Sequence, residues 1–287
     1  MQTKIDFVSF TVPCRIPFEI EDLDNKDNAL MVLEDFLGAV WKPVITGHVW
    51  DVYKAKGFYH TRIFDADTKI SISFGNVNRH IYVDVGGQAL DVIRTLGFYE
   101  DFLQKVATRT SRVDFAVDFE NECSVQEFIV NRDKGRFKAG GNIYSEDGET
   151  AYVGSWKAER FARVYRYHKP HPRSKMLRAE VVLRGTYAKQ AMLIVLADGE
   201  VQAALAAHEA FHWKHPLWQP TEAVTSEIVS KRHDKEGAST VRWLNGDVAA
   251  CIVRLHGEDL IDAYEWFEKY VAQRIPRKRD IIDDLCP

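Results

Sequence analysis

Polar and apolar residues alternate along most of the first two thirds of the chain. Ile5-Asp-Phe-Val-Ser-Phe-Thr-Val12 is rich in β-branched and aromatic residues, and the pattern predicts a strand. Leu30, Leu33, Phe36, Leu37 and Val40 recur at helical spacing, which predicts a helix over 27–41 ending before Pro43. Three short runs, 49–53, 58–64 and 69–74, read as a meander broken at Gly57 and at Asp65-Ala-Asp67. A strand over 80–85 stops at Gly86-Gly87, and 88–106 reads as one helix. In Arg112-Val-Asp114-Phe-Ala-Val-Asp118-Phe-Glu120, a period of two sets Arg112, Asp114, Ala116, Asp118 and Glu120 on one face. Val113, Phe115, Val117 and Phe119 form the other face, which is apolar throughout. Such a strand buries one face and offers carboxylates on the other.

A short helix over 124–132 with Ser124 as its N-cap follows. Residues 133–149, with four glycines, read as a loop, and strands resume at 150–155, 161–168 and 176–184. Beyond 187 the pattern turns helical, with helices expected over 188–196, 199–213, 221–232, 239–255 and 258–273. The expected class is α+β: an antiparallel-sheet catalytic domain over 1–187 and a helical C-terminal region over 188–287.

Bulk properties narrow the setting more than the activity. The 287 residues are 46% hydrophobic and 28% charged, as in a water-soluble globular chain. No apolar run approaches the ~20 residues that span a bilayer, and the N-terminus lacks the apolar stretch of a signal peptide. A cytoplasmic location and no membrane partner are expected. Cys14, Cys123, Cys251 and Cys286 are too scattered for a disulfide framework or a zinc ribbon. The net charge is −4, yet between Trp156 and Arg184 nine Lys/Arg stand against two acids, Glu159 and Glu180. Phosphate binding depends on such local clustering rather than on the total.

Three strand faces carry candidate chemistry. They are Arg112/Asp114/Asp118, then Arg163/Tyr165/Tyr167, then Arg178/Glu180. If the strands share a sheet, carboxylates, tyrosines and arginines converge. Carboxylates suit Mg²⁺ or Mn²⁺, and guanidinium groups suit phosphate oxygens. A phenol, with an ordinary pKa near ~10, needs a positive surround or a base before it attacks phosphorus. Taken singly, each face also reads as a solvated sheet surface.

The order of these segments resembles the Rep_trans family, replication initiators of rolling-circle plasmids and filamentous phages with related mobile-element relaxases. Arg112-Val-Asp-Phe-Ala-Val-Asp-Phe-Glu is similar to its "R-hydrophobic-D" strand, and Tyr152-Val-Gly-Ser with Phe161-Ala-Arg-Val-Tyr165 to its tyrosine segment. Leu177-Arg-Ala-Glu-Val-Val-Leu-Arg is similar to its "R-hydrophobic-E" strand. The strong resemblance covers about 109–186. It implies a site-specific DNA nickase and strand transferase that forms a 5′-phosphotyrosine and a free 3′-OH. By position, Tyr165 is the nucleophile, and Asp114, Glu180 and Asp118 are metal ligands for Mg²⁺ or Mn²⁺. Arg112, Arg163, Lys169 and Arg178 would meet phosphate. The family's Lys two residues after the tyrosine is replaced by Tyr167, so Tyr167-His168-Lys169 offers an alternative nucleophile. Implied partners are origin DNA, single-stranded or as a cruciform, and the host replication machinery. A host helicase is expected because no G-x-x-x-x-G-K-[ST] phosphate loop occurs, and a homodimer is a possible assembly. No His-hydrophobic-His pair is present, which sets the chain apart from the histidine class of rolling-circle endonucleases.

Three other readings stand beside this one. A relaxase of a mobile element would use the same chemistry, and a DNA-binding regulator would have lost it. The third is a zinc protease, because His208-Glu209-Ala-Phe-His212 matches H-E-x-x-H. The bland account of that motif is a surface helix whose histidines sit near its C-terminal dipole.

Overall fold

The alternating segments assemble into one sheet. The computed structural model describes residues 2–13, 25–38, 50–54, 59, 61–75, 80–120, 123–130, 139–145, 148–166, 176–213, 215–220 and 222–228. In chain order the elements are β1 (Gln2–Pro13), α1 (Lys26–Leu37), β2 (Asp51–Lys54), β3 (Thr61–Asp65), β4 (Ile70–Phe74) and β5 (His80–Gly86). Next come α2 (Gly87–Thr95), α3 (Tyr99–Val106), a single 3₁₀ turn, β6 (Thr110–Glu120) and α4 (Val125–Val130). Then follow β7 (Ala139–Ser145), β8 (Gly148–Val153), β9 (Arg160–Arg166), β10 (Met176–Arg184), α5 (Gly185–Asp198) and α6 (Glu200–Glu209). The ten strands lie in the order β2-β3-β4-β5-β1-β6-β10-β9-β8-β7, each pair antiparallel. The α+β class with an antiparallel sheet is the one the alternation predicts.

That strand order contains the same motif twice. A strand and a helix lead into a four-strand meander whose last strand pairs with the first, and two helices follow. The first half runs from β1 to α3 and the second from β6 to α6, and β1 and β6 pair at the centre. Each half therefore ends its meander one strand from the middle of the sheet.

One sheet face is apolar and covered by helices. Val113, Phe115, Val117 and Phe119 of β6, Leu177, Ala179, Val181 and Leu183 of β10, and Ile81, Val83 and Val85 of β5 are all buried there. A fully buried Phe or Leu side chain contributes ~1.5–3 kcal/mol, so this layer dominates the stability of the sheet. In β1 the buried set is Ile5, Val8, Phe10 and Val12, which breaks strict alternation between Ile5 and Val8. A β-bulge at Asp6 restores the phase: Ile5 faces Phe115 while Phe7 faces Asp114. The Ile5 amide donates to the Glu200 carboxylate on α6, which Arg94 (2.9 Å) and the Tyr99 hydroxyl (3.0 Å) also hold. The bulge thus doubles as a docking point for α6.

Several expected elements differ. Residues 88–106 form two helices, because Gly97 adopts φ 77 and the Phe98 amide bonds back to the Ile93 carbonyl. That is a Schellman stop, which glycine makes accessible. The expected loop over 133–149 contains β7 and the start of β8, paired through their backbones with a register shift between Ala139 and Asn142. The helix expected over 221–232 is not formed over 222–228, where Gln202 bonds Thr225 and Asp198 bonds Ser226. The N-cap expected at Ser124 is present, its hydroxyl accepting from the Glu127 amide at 3.0 Å. Helices α5 and α6 share the sheet's core through Ala188, Ala191, Met192, Ala203 and Ala207. The compact units are Met1–Ser230 and Lys231–Pro287, so residue 187 marks a change of secondary structure inside the first unit. The expected helices over 239–255 and 258–273 lie outside the described residues. Among the described residues, no helix is long and apolar enough to cross a membrane.

Candidate active site

The three polar strand faces do share a sheet, as neighbours β6-β10-β9. Register places Glu180 opposite Arg163 on one side and Ala116 on the other. Ala116 is small, and the space above it lets Glu180 reach Asp114 diagonally across the ladder. Both carboxylates are fully buried (0% exposed) on the polar face.

The buried acids are met by guanidinium groups and a phenol. Arg112 Nε donates to Asp114 Oδ1 at 2.8 Å, and Arg163 forms an ion pair with Glu180 and lies 3.9 Å from Asp114. The Tyr165 hydroxyl donates to Glu180 Oε2 at 3.1 Å, and the Arg163 guanidinium lies 5.6 Å from the Tyr165 ring centre. Arg112 in turn lies over Phe7 at 4.4 Å.

Burial acts differently on the two acids. It pushes the Asp114 carboxyl up to about 7, against the hydrogen bonds from Arg112 and with help from the Glu180 charge. Burial, the largest single influence, would raise Glu180 as well, but the Arg163 charge and the hydrogen bonds from Arg163, Asp114 and Tyr165 together outweigh it, and Glu180 stays below its ordinary value. Burial alone would lower Arg163, and Glu180 outweighs that and holds it above the usual arginine range. The pair therefore carries an ionised Glu180 beside an Asp114 that keeps its proton into the neutral range. Chemically, the phenol of Tyr165 faces an ionised acceptor, with the Arg163 cation beside it.

Two expected site residues belong elsewhere. Arg178 is 1% exposed and forks onto Asp118 at 2.6 and 2.7 Å, with Asp6 at 2.9 Å. Its guanidinium cannot meet a phosphate from there. Asp118, with both oxygens in that fork, is not placed as a metal ligand. The triad instead ties β1, β6 and β10 together beneath Tyr165, and the Arg178 charge also acts on that phenol. Tyr167 and Lys169 lie outside the described residues.

A divalent cation such as Mg²⁺ needs several oxygen donors around it. Among the described residues no three ligands converge, so the three-carboxylate set does not form. Asp114 and Glu180 remain, two buried oxygen-donor groups close enough to share a proton. Such a pair favours a cation, and Mg²⁺ commonly takes one or two carboxylates alongside waters and substrate phosphates. The pair fits on that chemistry.

The H-E-x-x-H reading does not survive. His208 is fully buried, with Nε2 donating to the Phe115 carbonyl at 3.1 Å and Nδ1 accepting from Trp213 Nε1 at 3.2 Å. Both ring nitrogens are used, and burial lowers its pKa to about 4. α6 ends at Glu209, and His212 lies beyond it at φ 51, so the two histidines share no helix face. The surface-helix account also fails: His208 stacks on Trp218 at 5.2 Å inside the core.

Sequence reasoning also misses polar residues in the first half. Asp84 accepts from Ser9 at 2.6 Å and from Ser71 at 3.1 Å, on the same sheet face as Asp114 and Glu180. Alternation in β1, β4 and β5 would put Ser9, Ser71 and Asp84 together only with the strand order in hand.

The chain matches no protein-family model and no curated protein sequence. Among solved structures it is similar to a rolling circle replication initiator protein from Geobacillus stearothermophilus. That likeness has a TM-score of 0.52 and 14% identity, over 78% of this chain and 89% of that one. It is a likeness of fold: a mixed α/β chain built on one large antiparallel sheet.

Proposed function

We propose that the protein is a rolling-circle replication initiator that cuts one strand of origin DNA through Tyr165. The observation that carries this reading is the Tyr165 hydroxyl 3.1 Å from an ionised, buried Glu180, with Arg163 and Arg112 alongside. The fold it shares with a rolling-circle initiator supports the same reading.

Glu180 takes the phenol proton as Tyr165 attacks phosphorus. The tyrosyl oxygen bonds to the 5′ phosphate, the bond to the 3′ oxygen breaks, and that oxygen takes the proton that Glu180 accepted and leaves as a 3′-OH. Arg163 and Arg112, the site's two partly exposed cations, bind the non-bridging oxygens and offset charge in the transition state. Asp114 holds Glu180 from behind through the shared proton. Once that shared proton is displaced, Asp114 and Glu180 would hold Mg²⁺ or Mn²⁺, which would neutralise charge on the scissile phosphate. The phosphotyrosine conserves the energy of the broken bond, so the 3′-OH can attack it later and reseal the strand. Membership of the Rep_trans family is part of this proposal.

The test uses supercoiled DNA of the element that carries the gene. The wild-type protein should yield nicked circle and a detergent-stable protein–DNA adduct, and Tyr165→Phe should yield neither. An adduct that persists in Tyr165→Phe and disappears in Tyr167→Phe would move the nucleophile by two residues.

A further inference from the structure

The polar face does not end at the Tyr165 site. It continues across β1 and β5 to β4, β3 and β2, where its chemistry changes. Tyr53, Lys54, Tyr59, Arg62, Phe64 and Tyr82 line an open cleft there of about 640 Å³. The Tyr59 and Tyr82 ring centres are 6.0 Å apart at 33°. Tyr53 is 52% exposed, and Lys54 and Arg62 are exposed as well. Tyr53 lies directly across the ladder from Arg62, and the same row continues through Ser73 to Tyr82, so Arg62 stands between two aromatic rings along the cleft wall.

These rings serve no core. The helix-covered face supplies the buried apolar residues, and the tyrosines project from the opposite one. The cleft is also linked to the catalytic strands. Tyr82 hydrogen-bonds Ser9 and Ser111, Arg112 acts on it, and Asp84 on its floor accepts from Ser9.

One exposed and two half-buried rings set beside cations match unpaired bases on a phosphate backbone: every base has a face to stack, and Arg and Lys take the phosphates. A duplex hides its base faces and would leave the tyrosines without a role. Unwinding from a nick at Tyr165 would release an unpaired strand on this same sheet face. We infer that the first-half cleft binds single-stranded DNA by stacking bases on Tyr53, Tyr59 and Tyr82, with Arg62 and Lys54 on the phosphates. The identity of that strand, as the one cut at Tyr165, rests on the proposed function; the stacking chemistry does not.

The test is fluorescence anisotropy of an oligothymidylate of about 12 nucleotides with the full chain, in chelator, so that binding is read without cleavage. Replacing Tyr53 and Tyr59 together by Ala should weaken binding about tenfold or more, while the Phe pair, which keeps the rings, should bind as wild type. Duplex of the same length should show no such loss. Unchanged affinity in the Ala pair, an equal loss in the Phe pair, or an equal loss on duplex would each overturn the inference. If the Ala pair lowers the melting temperature, Tyr53→Ala alone is read, since that ring is largely exposed, and an unchanged affinity in it overturns the inference equally. The two proposals fail separately. No wild-type adduct with a tenfold loss in the Ala pair removes the nicking reading and keeps the cleft. An adduct with no loss removes the cleft and keeps the nickase.

Discussion

The two halves of the sheet repeat one topology and differ in what they place on it. The helices that follow each meander start at Gly87 and at Gly185, and these starts align the halves. With that alignment and the ladder registers, Tyr82 corresponds to Glu180, Ser9 to Asp114, and Ser73 to Arg163. The second half has two buried carboxylates and a guanidinium where the first has a phenol and two hydroxyls. The comparison teaches that the scaffold itself does not create the site. It supplies a buried diagonal between neighbouring strands, and ionisable groups placed there acquire shifted protonation states that hydroxyls would not. Asp114 and Glu180 are therefore the feature to break first.

Glu180→Gln keeps the shape and the hydrogen bond to Tyr165 but removes the acceptor for its proton. Nicking should fall by roughly 10²–10⁴, the usual contribution of a positioned acid or base. A loss that high pH restores, as the phenol ionises unaided, supports the base role. A loss that remains at all pH values would mean that Glu180 only positions the phenol.

The next largest effect concerns stability, and it separates two kinds of buried charge in the same half. Asp118 and Arg178 neutralise one another, with Asp6, whereas Asp114 sits against Glu180 and keeps its proton into the neutral range. Removing one partner of a buried pair leaves the other uncompensated and costs about 3–5 kcal/mol. Arg178→Met should therefore lower the urea midpoint sharply, and Asp114→Asn should leave it unchanged or raise it. The same variants sharpen the metal assignment. Asp114→Asn should abolish Mn²⁺ binding read by calorimetry, and Asp118→Asn, where it folds, should keep it. Loss in Asp118→Asn alone would restore the three-carboxylate set.

These contrasts also mark what the sequence makes legible. Alternation in β6, β9 and β10 shows which residues share a face, and so Asp114, Arg163, Tyr165 and Glu180 are readable as one site. Antiparallel register is not readable, because it depends on pairings made far along the chain. Arg178 and Asp118 lie on the right face and still face each other. Asp6 joins them only because a bulge rephases β1. The duplication is hidden for a related reason: matched positions such as Tyr82 and Glu180 differ in chemistry, so only topology records them. Gly97, by contrast, is a visible helix stop that the apolar spacing on either side obscures. His208 misleads because its local spacing outweighs Trp213 and Trp218, the two rings that enclose it.

The smallest predicted effect tests that last point and the helix layer beneath the active half. His208 is neutral in the folded protein, with a pKa of about 4 against 6.5 in the unfolded chain. Between those values the unfolded chain binds more protons, so its contribution is complete above 6.5 and is lost as pH falls toward about 4. Every tenfold change in a proton-binding constant is worth ~1.4 kcal/mol, which puts the loss at roughly 3 kcal/mol over that window. Asp114 has the opposite sign: its folded value near 7 lies above the unfolded one, so its contribution is present at acid pH and lost as pH rises toward 7. The two slopes partly cancel in the wild type, and only a difference measurement separates them. Urea midpoints from pH 4 to 7 should therefore show a steeper acid loss for wild type than for His208→Gln. Parallel curves would mean that His208 takes up its proton as readily in the folded as in the unfolded chain, and the neutral hydrogen-bonded pairing between Phe115 and Trp213 would have to be abandoned.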